Sequence, residues 1–143
     1  YIIRGGIKSI LGNHRQAIID LSRAIEINPQ DSTAYRYLGI AKYNLGNHHE
    51  AIIILGKAIK LDPQDAISYS YRGIAKGSKN YHVDAIIDLN KAIEIDPNYA
   101  GAYRNRGIEK EWLNQLKDAC TDWRKASKLG DKDSAKWVQD QCQ

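Results

Sequence analysis

A chain of 143 residues with 43% hydrophobic content is long enough for one compact domain or a short stack of repeats. No apolar run approaches the roughly 20 residues that span a bilayer, so membrane insertion is not expected. The 21 Lys+Arg and 17 Asp+Glu are interspersed along the whole chain, which describes a solvated helical surface better than a nucleic-acid footprint. The chain has no Met and opens at Tyr1 part-way into a repeat, so a piece of something longer, or a processed product, is expected.

The first unit, residues 1–31, ends in AIEINPQD, and the second (32–65) and third (66–99) end in the near-copies AIKLDPQD and AIEIDPNY. Pro29, Pro63 and Pro97 therefore stand 34 residues apart, as do Gly5, Gly39, Gly73 and Gly107, and Ala17, Ala51, Ala85 and Ala119. A fixed period of this size marks a stack of identical supersecondary units. The spacing of Ala34, Leu38, Ala41 and Leu45 predicts a helix over about 32–45, and Ala51, Leu55, Ala58 and Ile59 predict its antiparallel partner over about 48–61.

The turn inside each unit falls on Gly12, Gly46, Asn80 and Asn114, the residue types that tolerate a left-handed helix end. Between units Pro stops one helix, and Asp31, Asp65 or Asn98 can cap the next. The fourth unit, about 100–133, replaces Asp-Pro with Gly130 and Asp131. One further helix, about 134–142, is expected to close the stack with a polar face of Lys136, Gln139, Asp140 and Gln143.

Two places vary together between copies: Arg4 with Asp20, Leu38 with Ile54, Arg72 with Asp88, and Arg106 with Asp122. Each pair lies at equal distances before and after the turn inside its unit, which sets its members side by side in a helical hairpin. Three structural ion pairs and one apolar substitute are expected. Cys120 and Cys142 are each 11 residues from Asp131, so antiparallel packing brings them together. They are either a disulfide, implying an oxidising compartment, or two small apolar residues in contact.

His14, His48 and His82 recur at the period, but successive repeats lie on the order of 10 Å apart, too far for shared metal ligation, and they are expected to be packing residues. No phosphate loop and no nucleophile-base-acid constellation converges on one unit, so no enzyme activity and no cofactor are expected. Arg36, Arg104 and Arg106 alternate with Tyr35, Tyr37 and Tyr103 as in single-strand binders. Tyr35 and Tyr103 fall at core places, however, and Arg106 belongs to Asp122, so no nucleic-acid partner is expected.

The 34-residue period with Tyr, Gly, Ala, Ala and Pro at fixed places resembles the tetratricopeptide repeat family over the whole chain. Tyr1, Tyr35, Tyr69 and Tyr103 stand where the family prefers an aromatic, and Leu21, Leu55, Leu89 and Trp123 where it prefers a large core residue. Lys8, Lys42, Lys76 and Lys110 uniformly replace the family's tyrosine. The YRNRG style of repeat is similar to bacterial, notably cyanobacterial, members.

The resemblance implies an all-α fold, a right-handed superhelical solenoid of about four repeats plus the capping helix, forming a single domain over residues 1–143. It also implies a scaffold whose first helices line a concave groove for a peptide or helix of a partner protein. Carried over to this chain, the groove is lined by Arg36, Tyr37, Ile40, Asn44, Tyr71, Ile74, Arg104, Asn105, Ile108 and Trp112. Ile40, Ile74 and Ile108 are either an apolar stripe in that groove or part of the core between repeats. The arginines suggest an amphipathic, mildly acidic segment. Asn105 matches the asparagine that holds a ligand's backbone, but Tyr37 and Tyr71 replace it in the preceding copies, and the basic clamp of the chaperone-tail subclass is missing in either frame. The alternative is self-association through the face around Ile2, Ile3 and Ile7. The default compartment is the cytoplasm.

Overall fold

The structure, a computed structural model, describes residues 1–142. Its described residues form α1 (Ile2–Ile10), α2 (His14–Ile27), α3 (Ser32–Asn44), α4 (His48–Leu61), α5 (Ala66–Gly77), α6 (His82–Ile95), α7 (Ala100–Trp112), α8 (Leu116–Lys128) and α9 (Lys132–Gln141). They build an all-helical, right-handed solenoid of antiparallel pairs, each helix packed on the next.

The elements follow from local chemistry. Gly46 at φ +81° and Asn80 at φ +64° make the left-handed turns inside the second and third units, a conformation that asparagine enters at small cost and glycine at none. Between units, the Asp65 carboxylate accepts from the backbone N–H groups of Ile67 and Ser68 at 3.1 and 3.3 Å. That satisfies two of the donors a helix start leaves unpaired. Asn98 caps nothing; its own N–H donates to Asp96, and Tyr99 occupies the cap without a side-chain bond.

Each hairpin closes over a glycine. A Cβ on Gly39 would stand 2.5 Å from Leu55 Cγ, so the buried leucine of the second helix presses directly on the backbone of the first. Gly5 faces Leu21, Gly73 faces Leu89 and Gly107 faces Trp123 in the same way. Leu21, Leu55, Leu89 and Trp123 are almost wholly buried, and each buried side chain of this size contributes roughly 1.5–3 kcal/mol.

The last helix begins two residues earlier than its expected start at 134. Gly130, at φ +97°, ends α8, and the Asp131 N–H folds back onto the Ala126 carbonyl at 3.0 Å. Asp131 then caps α9 at once, accepting from the Ser134 N–H at 2.8 Å. Lys136, Gln139 and Asp140 are exposed on the outer face of α9, while Gln143 lies outside the described residues. No helix among the described residues is long and apolar enough to cross a membrane.

Candidate functional site

The odd-numbered helices touch from unit to unit (α1 with α3, α3 with α5, α5 with α7), whereas no even-numbered pair makes comparable contact. The first helices therefore form the tighter, inner side of the curve. Side chains of these helices line two hollows. The larger, about 650 Å³, is lined by Tyr37, Ile40, Asn44, Ile67, Tyr71 and Tyr99, together with Ser9, Ile10, Gly12 and His14. Ser9 Oγ and His14 Nδ1 are buried in its wall without a protein hydrogen-bond partner.

The smaller hollow, about 430 Å³, is lined by Tyr43, Ile74, Asn105, Ile108, Glu109 and Trp112, with Gly77, Ser78, Asn80 and His82. Ile40, Ile74 and Ile108 are half-buried and belong to the walls of these hollows. Trp112 is 68% exposed, and its ring lies parallel to that of His82 at 5.6 Å. His82 Nδ1 is 2.7 Å from Glu109 Oε2. Burial pushes the Glu109 carboxyl above the usual glutamate range, and the hydrogen bond to His82 opposes that shift. Neither Glu109 nor His82 was among the candidate groove residues. The signal for Glu109 was the period itself, since Ile7, Ala41 and Ala75 stand at its place in the other copies.

Arg36 and Arg104 line neither hollow, and their charges are engaged within the fold. Arg36 Nη1 donates to Asp65 at 3.1 Å and its guanidinium lies over the Tyr37 ring, 5.2 Å from the centroid. Arg104 Nη1 donates to Asp131 at 2.9 Å. In both cases the aspartate is also the cap of the helix that follows the unit, so one residue closes a helix start and orients an arginine of the preceding inner helix. The expectation of an acidic partner rested on free arginines; pairing with the capping aspartates removes its basis.

Inside the hairpins Arg4 Nε donates to Asp20 at 2.9 Å, Arg72 Nε to Asp88 at 2.8 Å and Arg106 Nε to Asp122 at 2.9 Å, each with a second bond from the same guanidinium. The aspartates are 3% exposed. The lysines that replace the family's tyrosine complete the clusters: Lys8, Lys76 and Lys110 reach Asp20, Asp88 and Asp122 at 2.7, 2.8 and 2.8 Å. Lys42, whose unit has Ile54 in place of the aspartate, turns to Glu50 at 2.6 Å. At the far end Cys120 and Cys142 form a disulfide with Cα atoms 5.6 Å apart, tying α8 to the end of α9.

Tetratricopeptide repeat profiles match residues 1–31 and 32–65, and residues 66–133 repeat the same 34-residue unit twice more. The chain is a tetratricopeptide repeat protein. Among solved structures, a crystal structure of MamA shares 27% identity at a TM-score of 0.80, covering 92% of this chain and 77% of that one. A second MamA structure gives 27% identity and 0.79, covering 93% of this chain and 72% of that one. MamA from Desulfovibrio magneticus RS-1, at 20% identity and TM-score 0.80 over 90% of this chain and 72% of that one, supports the fold alone. No curated protein matches the chain. The tetratricopeptide architecture is that of a scaffold for protein–protein interaction.

Proposed function

We propose that the inner groove binds a peptide or helical segment of a partner protein, without catalysis. Tyr37, Ile40, Asn44 and Tyr71 form the larger seat, and Ile74, Asn105, Ile108 and Trp112 the smaller one. The observation that carries this reading is the half-exposed row of aromatic and aliphatic side chains on the inner helices, ending in the exposed Trp112. Tyrosine and tryptophan held partly in water by a rigid frame are the side chains that anchor protein interfaces. Arg36 and Arg104, tied to Asp65 and Asp131, act as a neutralised and pre-organised rim.

The test is capture from the source lysate by the wild type, a Tyr71→Ala/Trp112→Ala variant and an Ile53→Glu variant on the outer side, all checked as folded by circular dichroism. Loss of a partner only in the groove variant supports the reading. Loss only in the Ile53→Glu variant places binding on the outer surface.

A second reading has its own observation. Ile7 is 52% exposed, whereas Ala41 and Ala75 at the same place are 0% exposed, and Ile3 and Ile10 are 80% and 77% exposed. The face of α1 has the pattern of a packing surface without its neighbour and suits stacking on another copy. A mass that rises with concentration in light scattering, and no longer does so in Ile3→Glu, favours self-association.

A further inference from the structure

Glu109 differs from the other buried acids. Asp20, Asp65, Asp88 and Asp122 each hold an arginine, and three of them a lysine as well. Glu109 is 6% exposed, yet its hydrogen bond goes to His82, and no Lys or Arg lines the hollow it faces. The neighbouring lysines are directed elsewhere, Lys76 to Asp88 and Lys110 to Asp122.

The site is built by an exchange of bulk between copies. In the second and third units Tyr43 stands next to the small Ala75, and the Tyr43 and Tyr71 rings meet edge to face at 6.0 Å. One unit on, the place of Tyr43 is taken by Gly77 and the place of Ala75 by Glu109. A side chain on Gly77 would collide with the Glu109 carboxylate. The glycine thus makes room for an acid that the stack does not need for packing, at a single point of the groove among the described residues.

The surroundings of the carboxylate are those of a cation receptor. Tyr43 and Trp112 line the hollow with aromatic rings, the Trp112 ring carrying His82 on one face, while Ile74 and Ile108 offer apolar walls for an aliphatic stem and Asn105 is a polar neighbour. A lysine or arginine side chain needs all three: an aromatic face, a dry channel for its methylenes and a counter-ion at the end. An acid kept in a place that disfavours its charge is also a mark of a functional site.

We infer that the Glu109 hollow is the anchor subsite for a lysine or arginine side chain of the segment bound in the inner groove, with Glu109 as its counter-ion and Trp112 as its aromatic wall. This inference rests on the groove reading and deepens it: the partner is basic at one position, and that position sets its register along the stack.

The probes are Nα-acetyl-lysine methylamide and Nα-acetyl-arginine methylamide, titrated into ¹⁵N-labelled protein, with the norleucine analogue as an uncharged control. Saturable shifts of the Trp112 indole N–H and the Gly77 amide are expected in the millimolar range. Binding should be roughly tenfold weaker for norleucine and for folded Glu109→Gln. Equal shifts with norleucine, unchanged binding in Glu109→Gln, or no saturable shift in this hollow would each overturn the inference. With a captured partner in hand, unchanged binding to Glu109→Gln but loss by Tyr71→Ala/Trp112→Ala removes the anchor and leaves the groove. Unchanged binding to both variants removes the groove as well.

Discussion

Leu38 and Ile54 pack into one apolar cluster at the place where each of the other units sets an arginine against an aspartate. The same hairpin geometry thus accepts either a charged or an apolar pair, and none of the four units carries a mixture. Arg72→Leu should destabilise by about 3 kcal/mol, because Asp88 is left buried with Lys76 alone. The double variant Arg72→Leu/Asp88→Ile should return to within about 1 kcal/mol of the wild type. Urea unfolding of the three proteins checks this, and additive losses would refute the coupling.

Asp20 gives this cluster a pH signature. Hydrogen bonds from Arg4 and Lys8 hold its carboxyl down from 3.8 to about 2. A depressed carboxyl contributes stability that is present above its unfolded value and lost as the pH falls through the folded one. Asp20→Asn should therefore be less stable than the wild type at pH 7, with the gap closing as both proteins are taken below about pH 4 towards pH 2. A gap that stays constant across this range would show that the ion pairs contribute little.

Glu109 has the opposite sign. Its carboxyl is raised by burial, so its ionised form opposes folding, and the relative stability present below the ordinary glutamate value is lost as the pH rises through the folded one. Glu109→Gln keeps an oxygen to accept from His82 and removes the charge. It should melt higher than the wild type at pH 7.5, with the difference shrinking towards pH 4. A lower melting temperature at pH 7.5 would show that the pair with His82 is a structural asset.

The disulfide closes a loop of 22 residues around the α8–α9 turn, and a loop of that size corresponds to about 3 kcal/mol by chain entropy. Because a solenoid is held by neighbour contacts, the loss on reduction should be local. Dithiothreitol should speed hydrogen exchange in α9 and the C-terminal half of α8 while α1 to α6 are unchanged. Uniform loss of protection along the chain would mean that the stack unfolds as one unit.

Much of the fold is legible in the sequence because a repeat states each rule several times. Gly12, Gly46, Asn80 and Asn114 differ in identity but share one backbone demand, and partners inside a hairpin lie equally far from its turn, so Arg72 and Asp88 can be matched by counting. Contacts between units obey no such symmetry. The links from Arg36 to Asp65 and from Arg104 to Asp131 join an inner-helix arginine to a helix cap 29 and 27 residues away. The exchange of Tyr43 and Ala75 for Gly77 and Glu109 involves places in adjacent units. The lysines stand out in the sequence as a uniform departure, but the structure shows that three of them reach the aspartate 12 residues on.

The inner helices are proposed to hold the partner. The most direct measurement of this is site-specific photo-crosslinking in the source lysate, with p-benzoylphenylalanine replacing Tyr71 in the groove or Ile53 on the outer side. A crosslinked partner from position 71 and none from position 53, with the position-71 adduct reduced by Trp112→Ala, is the predicted result. Adducts from position 53 alone would contradict it and move the binding surface to the convex face.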